Sequence, residues 1–338
     1  MTFKGYLNVN KDAINMKFFL SLINILSLGI FISSNTYAVE KYDSVVVVGH
    51  LYPLYKIYAK TGNYTNFKNL TILSNSLNNL SNVKKIVFLG DTYIDHSDKT
   101  YDQVKKNLLD TLKFPFIKIN GNHETMNLNR FYQSGGKSKH YIDVGKFRLI
   151  MFSPWVLNKN TLLDTPIKAF NQKLINEVSK YLEMEISNTD LEFFKDSLST
   201  KKKNIILITD MVHHKNSRLF RWHKDVVPIL KNFNVDYVVV GDNDSLQHRF
   251  SWVNLNEIYY IHQGIANNSL EPGINTYLEI RLYHDGKIKF IPHIVPFDAL
   301  ADVYRIEDDN FKIEKKKFNP NFSKWREFLR LGYSMFIN

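Results

Sequence analysis

The sequence predicts an α/β fold whose strands deliver polar residues to a common edge. Three observations carry that expectation. Apolar runs of strand length (Val45–Val48, Ile86–Leu89 and Val238–Val240) each stop at a glycine followed by a polar residue. Stretches of helical period lie between such runs; Val104, Leu108, Leu109 and Leu112 fall on one helical face. The chain has 338 residues, 44% hydrophobic and 23% charged, so it has the material for an ordinary globular core.

The elements follow in order. Lys17 precedes the apolar run Phe18–Ile32, and polar residues then lead to Ala38. A positive start, an apolar core and a small residue at the end form a secretory signal, so residues 1–38 are expected to be removed and the chain exported to the periplasm or beyond the cell. The apolar core is short for a bilayer span, which takes about 20 residues; an uncleaved anchor is the alternative. A single domain is expected over residues 39–300, opening with the strand that ends at His50. Helices are expected around Phe67–Leu80 and Tyr101–Leu112. His140–Val144 and Phe147–Phe152 flank Gly145 as a hairpin would. Asn160–Ser187 is less regular and reads as an insertion, after which Thr189 is the expected cap of a helix Asp190–Leu198.

Asn204–Ile208 is strand-like and runs into the polar stretch Thr209–His214. A helix Lys224–Phe233 leads to the strand Val235–Val240 and the loop Gly241–Asp244. Strands are expected near Ile258–His262, Asn275–Tyr283 and Lys287–Ile294, the last two joined by an Asp285-Gly286 turn. Residues 301–338 form a basic tail in which Trp325, Phe328 and Leu329 fall at helical spacing. Such a helix suits docking on the domain or contact with a membrane surface.

Composition narrows the chemistry. There is no cysteine, so disulfides and thiolate metal sites are excluded and a metal must sit on His, Asp, Asn or Glu. The formal net charge of +11 suits anionic partners such as phosphate esters, acidic glycans or lipid headgroups, while a solvated lysine-rich surface is its commoner cause. The basic residues are scattered and follow no nucleic-acid motif, so no nucleic-acid partner is expected.

The stretch Phe116-Ile117-Lys118-Ile119-Asn120-Gly121-Asn122-His123-Glu124 concentrates the chemistry. A strand stops at a glycine and presents an amide, an imidazole and a carboxylate on one loop. Asn122 offers a neutral oxygen to a cation, and His123 can exchange a proton near neutral pH. Upstream, Ile86–Leu89 ends the same way in Gly90-Asp91. Together with His50, His213-His214 and Asp242/Asp244, these loops resemble the calcineurin-like metallophosphoesterases, whose motifs read D-x-H, G-D, G-N-H-E/D, H and G-H-x-H in that order. The resemblance covers residues 44 to 294.

It implies a four-layer α/β/β/α sandwich of the metallophosphoesterase type, with one or two divalent metal ions at a strand-end edge. It also implies hydrolysis of a phosphate ester, either a small molecule or a phosphorylated glycan or lipid. By this resemblance Asp91 is the bridging metal ligand, Asn122 a ligand of the second ion, and His123 the histidine acting on the leaving group. Glu124 and Asp95 are candidate supports. His213 matches the single metal-binding histidine, with His214 its register alternative, and His50 matches the histidine of the first motif.

Two departures stand out. The aspartate of D-x-H falls on Val48, which binds no metal, although in a strand Val48 and His50 would point the same way. The closing G-H-x-H reads Gly241-Asp242-Asn243-Asp244, with Asp242 and Asp244 at the histidine positions. Aspartate is a harder donor than imidazole, which favours manganese, magnesium, calcium or iron over zinc. The alternative reading is a binding or assembly protein of the cell surface that keeps the fold without catalysis.

Overall fold

The computed structural model describes residues 41–51, 68–93, 97–157, 181–210, 221–241, 250–263, 274–296, 304–306 and 313–315. Two sheets face each other. The first has five strands in the order β13-β12-β1-β2-β3 and the second six, β10-β11-β9-β8-β5-β4. In the first, β1 (Tyr42–Val48), β2 (Val83–Leu89) and β3 (Phe116–Ile119) run parallel, and β12 (Ile274–Tyr283) and β13 (Ile288–Pro296) complete it antiparallel. In the second, β5 (Phe147–Phe152), β8 (Lys203–Ile208), β9 (Tyr237–Val240) and β11 (Ile258–His262) are parallel, with β4 (Lys139–Val144) and β10 (Ser251–Leu255) antiparallel at its edges.

The valine run of β1 explains its own place. Val45 and Val47 point between the sheets, where they meet Leu89, Leu207 and Leu278. Val46 and Val48 point outward to a helical layer containing Leu73, Leu77 and Val104. A strand buried on both faces has no polar alternation to show. The helices of that layer are α1 (Lys68–Asn78) and α2 (Asp98–Asn107), the latter continued by a 3₁₀ turn at Leu109–Thr111. On the far side of the second sheet, Ile206 and Ile208 pack with Phe194 and Leu198 of α5 (Asn188–Leu198), with Trp222, and with Leu230 of α6 (Val227–Asn232). The layers are therefore α/β/β/α, as expected.

Several local expectations need correction. Ser187, not Thr189, caps α5: its Oγ accepts from the Asp190 amide, and Asp190 Oδ2 accepts from the Ser187 amide. That reciprocal pair satisfies two helix-end donors at once. The helix expected from Lys224 instead opens with a π-turn at Trp222–Val226. Within the expected insertion, β7 (Leu182–Met184) pairs with β6 (Trp155–Leu157); a further ribbon joins β14 (Tyr304–Ile306) to β15 (Ile313–Lys315). The signal segment, and Trp325, Phe328 and Leu329 of the tail, lie outside the described residues. Among the described residues no helix is long and apolar enough to cross a membrane.

Candidate functional site

The parallel strands of both sheets end at one edge, and glycines bring those ends together. Gly90 and Asp91 follow β2 with φ of 84° and 52°, two successive left-handed residues that turn the chain off the sheet. Aspartate tolerates this conformation better than bulkier residues do. His50, after β1, is also left-handed at φ 52°. Its amide donates to Gly90 O at 3.0 Å and the Leu51 amide to Asp91 O at 2.9 Å, so the loops after β1 and β2 lie side by side. A Cβ on Gly121 would lie 2.2 Å from Asp91 Oδ1, so only glycine lets the loop after β3 approach this closely.

Asp91 is the centre of the arrangement. Its Oδ1 accepts from the His123 amide at 3.1 Å, while Oδ2 lies 3.8 Å from His50 Nδ1. Asn122 and His123 open the short helix α3 (Asn122–Thr125), which α4 (Leu128–Gln133) follows. Asn122 Oδ1 is buried and has no hydrogen-bond partner. A buried carbonyl oxygen without a donor carries an uncompensated desolvation cost, and a bound water or ion is one way to meet it.

Glu124 is fully buried and holds the loops together. Its Oε2 accepts from the amides of Asp91 (2.9 Å) and Gly121 (2.7 Å), and its Oε1 from the amide of Tyr93 (2.9 Å). Burial, and then the Asp91 charge, push its pKa up to about 7, against the pull of the Tyr93 and Gly121 amides. This geometry makes Glu124 a clamp on the Asp91 loop. Behind it Lys118, 3% exposed, donates to Tyr93 Oη (3.0 Å), Ser134 O (2.7 Å) and Ser134 Oγ (2.9 Å). Burial lowers the Lys118 pKa to about 8, and burial raises that of Tyr93.

His50, Asp91, Asn122, His123 and Glu124 are thus brought together. Asp95, His213, His214, Asp242 and Asp244 lie outside the described residues. The strands leading to the last four do end at the same edge: the Gly241 amide donates to Ile208 O at 2.8 Å, and a Cβ on Gly241 would lie 2.2 Å from Leu89 O. Among the described residues no group of three or more His, Asp or Glu is close enough to hold a metal. The Asp91 carboxylate, the Asn122 oxygen and the His50 imidazole are donor types that suit a divalent ion.

Val48 corrects the sequence reading. β1 ends at Val48, and His50 beyond it is left-handed, so strand alternation does not relate the two side chains. Val48 instead packs in the outer layer with Leu51, Phe88 and Tyr93. Asp210, which the sequence reading did not single out, follows β8, is 6% exposed, and stands two residues past the last strand residue as Asp91 does. The signal was available in the sequence, since Thr209-Asp210 is where the apolar run stops.

Residues 44–243 match the model of the family described as calcineurin-like phosphoesterase. No curated protein sequence matches the chain. Similar solved structures include GAP50, the anchor in the inner membrane complex of Plasmodium, at 15% identity, covering 86% of this chain and 94% of that one, with a TM-score of 0.46. A purple acid phosphatase, PPD1, from yellow lupin (Lupinus luteus) seeds is 14% identical over 79% of this chain and 53% of its own, with a TM-score of 0.45. A putative 5'-nucleotidase from Staphylococcus aureus is 11% identical over 87% of this chain and 58% of its own, with a TM-score of 0.41. On the family match, which covers 200 of the 338 residues, this chain belongs to the calcineurin-like phosphoesterase family.

Proposed function

We propose that this protein is an exported, metal-dependent phosphoesterase acting on a small-molecule, glycan or lipid phosphate ester. The observation that carries the proposal is the buried, partnerless Asn122 Oδ1 on the loop that presses against the Asp91 carboxylate. Asp91, Asn122 and His50 would hold one or two divalent ions, with His213, Asp242 and Asp244 as further ligands. When bound, the ion supplies Lewis acidity, lowering the pKa of a water and neutralising charge on phosphoryl oxygens. Asp91 binds and orients through its carboxylate, which the His123 amide aligns. His123, half-buried on α3, holds a proton for the leaving oxygen. Glu124 fixes the Asp91, Tyr93 and Gly121 amides and touches no reacting atom. Manganese, magnesium, calcium or iron suit these donors better than zinc.

Turnover of an aryl phosphate by the metal-stripped protein, reloaded ion by ion, tests this reading. Hydrolysis restored by manganese or magnesium, and lost in Asp91→Asn, supports it; an ion bound without turnover on any phosphate ester refutes catalysis. The second reading, a binding or assembly protein with the same fold, is favoured by one observation: an apolar Val48 stands where the family places a metal-binding carboxylate. Export rests on the Lys17–Ala38 pattern, and an exported chain beginning at Val39 by amino-terminal sequencing is the expected result.

A further inference from the structure

Gln263 takes no part in the chemistry described above, yet it sits where two of the loops begin. It follows β11 directly and is 1% exposed. Its amide donates to Val240 O at 3.3 Å, and its side-chain Nε2 donates to Gly241 O, also at 3.3 Å. A Cβ on Gly49 would lie 2.5 Å from that Nε2 and 2.6 Å from Gly241 O. The Gly49 backbone is therefore pressed against both the carboxamide and the peptide it holds. Gly241 abuts Leu89 O in turn. The next residues along these strand ends are His50, Asp242 and, past Gly90, Asp91.

We infer that Gln263 is a positioning residue whose carboxamide locks the end of β9 against the end of β1. The lock sets how far the strand end at Gly49, and with it His50, stands from the Gly241 peptide. Glycines at the crossing permit the close approach but have no side chains to fix it. A buried carboxamide supplies both a shape and a directional donor, and residues behind metal ligands typically govern affinity by about 10–100-fold. The metal consequence rests on the proposed function; the backbone consequence does not.

Two variants of the full chain separate a lock from a filler: Gln263→Met keeps the volume without the amide, and Gln263→Ala removes both. In Mn²⁺ titrations read by electron paramagnetic resonance, both variants are expected to bind about tenfold more weakly than the natural chain. In ion-free hydrogen exchange, the His50 and Leu51 amides should exchange about tenfold faster in both, while Ile205–Ile208 stay protected. A Met variant that matches the natural chain in both measurements overturns the inference and leaves Gln263 as packing. If the natural chain binds no Mn²⁺, the metal reading fails, and the exchange rates alone decide: unchanged rates at His50 and Leu51 refute the lock. A variant that loses protection throughout Ile205–Ile208 has unfolded and is replaced by Gln263→Asn, which keeps the amide on a shorter stem and should show the same local loosening.

Discussion

Glu124→Gln and Glu124→Ala probe how the loops after β2 and β3 are joined. The natural carboxylate accepts three backbone amides, at 2.9, 2.9 and 2.7 Å, while fully buried. Glutamine can keep its carbonyl on the Oε2 side, where it accepts from Asp91 and Gly121. Its NH₂ then faces the Tyr93 amide, donor against donor. One buried N–H loses its acceptor, at a cost of about 1–3 kcal/mol. The two surviving bonds also lose their charge assistance. Part of this is recovered, because a neutral amide removes the repulsion from Asp91 and the burial of charge that raise the Glu124 pKa. The Gln variant should thus lose about 1–3 kcal/mol, whereas alanine strands all three amides and should lose about 3 kcal/mol or more. Urea denaturation of the ion-free protein at about pH 8.5, above the value near 7 to which the Glu124 pKa is raised, measures both. An alanine variant within about 0.5 kcal/mol of the natural chain, the range of an inert surface change, would refute the clamp.

Gly121→Ala places a Cβ 2.2 Å from Asp91 Oδ1 and 2.7 Å from its amide, so a loss of about 1–3 kcal/mol from forced loop movement is expected by denaturation; an unperturbed midpoint would contradict the close approach. Lys118 carries a pKa lowered from 10.5 to about 8, so the native state binds fewer protons than the unfolded one between those values. Stability should therefore rise with pH across that window, by an amount on the order of 3 kcal/mol in the natural chain relative to Lys118→Met; parallel pH curves for the two proteins would remove the effect. Val48→Asp puts a carboxylate among Leu51, Phe88 and Tyr93, and a loss of about 3 kcal/mol or more is expected in thermal and urea melts, with no new ion bound. A stable variant with raised metal stoichiometry would show that the side chain reaches the site after all.

Much of the fold could be read because burial imposes patterns on neighbouring residues. The four valines of β1 face apolar layers on both sides, and the strand shows that directly. Gly90-Asp91 and Gly121–Glu124 could be read because a strand that stops at glycine must turn there. What could not be read depends on partners distant in sequence. The left-handed His50 is aligned by Gly90, forty residues away, so strand alternation misplaced Val48 relative to it. Gln263 gains its place from Gly49 and Gly241, and nothing in its own neighbourhood signals that. The three-residue strands β6 and β7 are too short for a period of two to emerge. Ser187 was passed over as a cap because Thr189 is as plausible by residue type; only Asp190 at the third helical position, bonding back, distinguishes them.

The central claim is that the loop after β3 is built to present the Asn122 oxygen, with Asp91, to a divalent cation. Equilibrium binding of Mn²⁺ to the natural chain and to Asn122→Ala tests it most directly. Saturable binding in the natural chain, weakened about tenfold or about 1.4 kcal/mol in the variant, is the expected result. Equal affinity in the two proteins, or an ion bound only when the residues around Asp91 are unfolded, would contradict it.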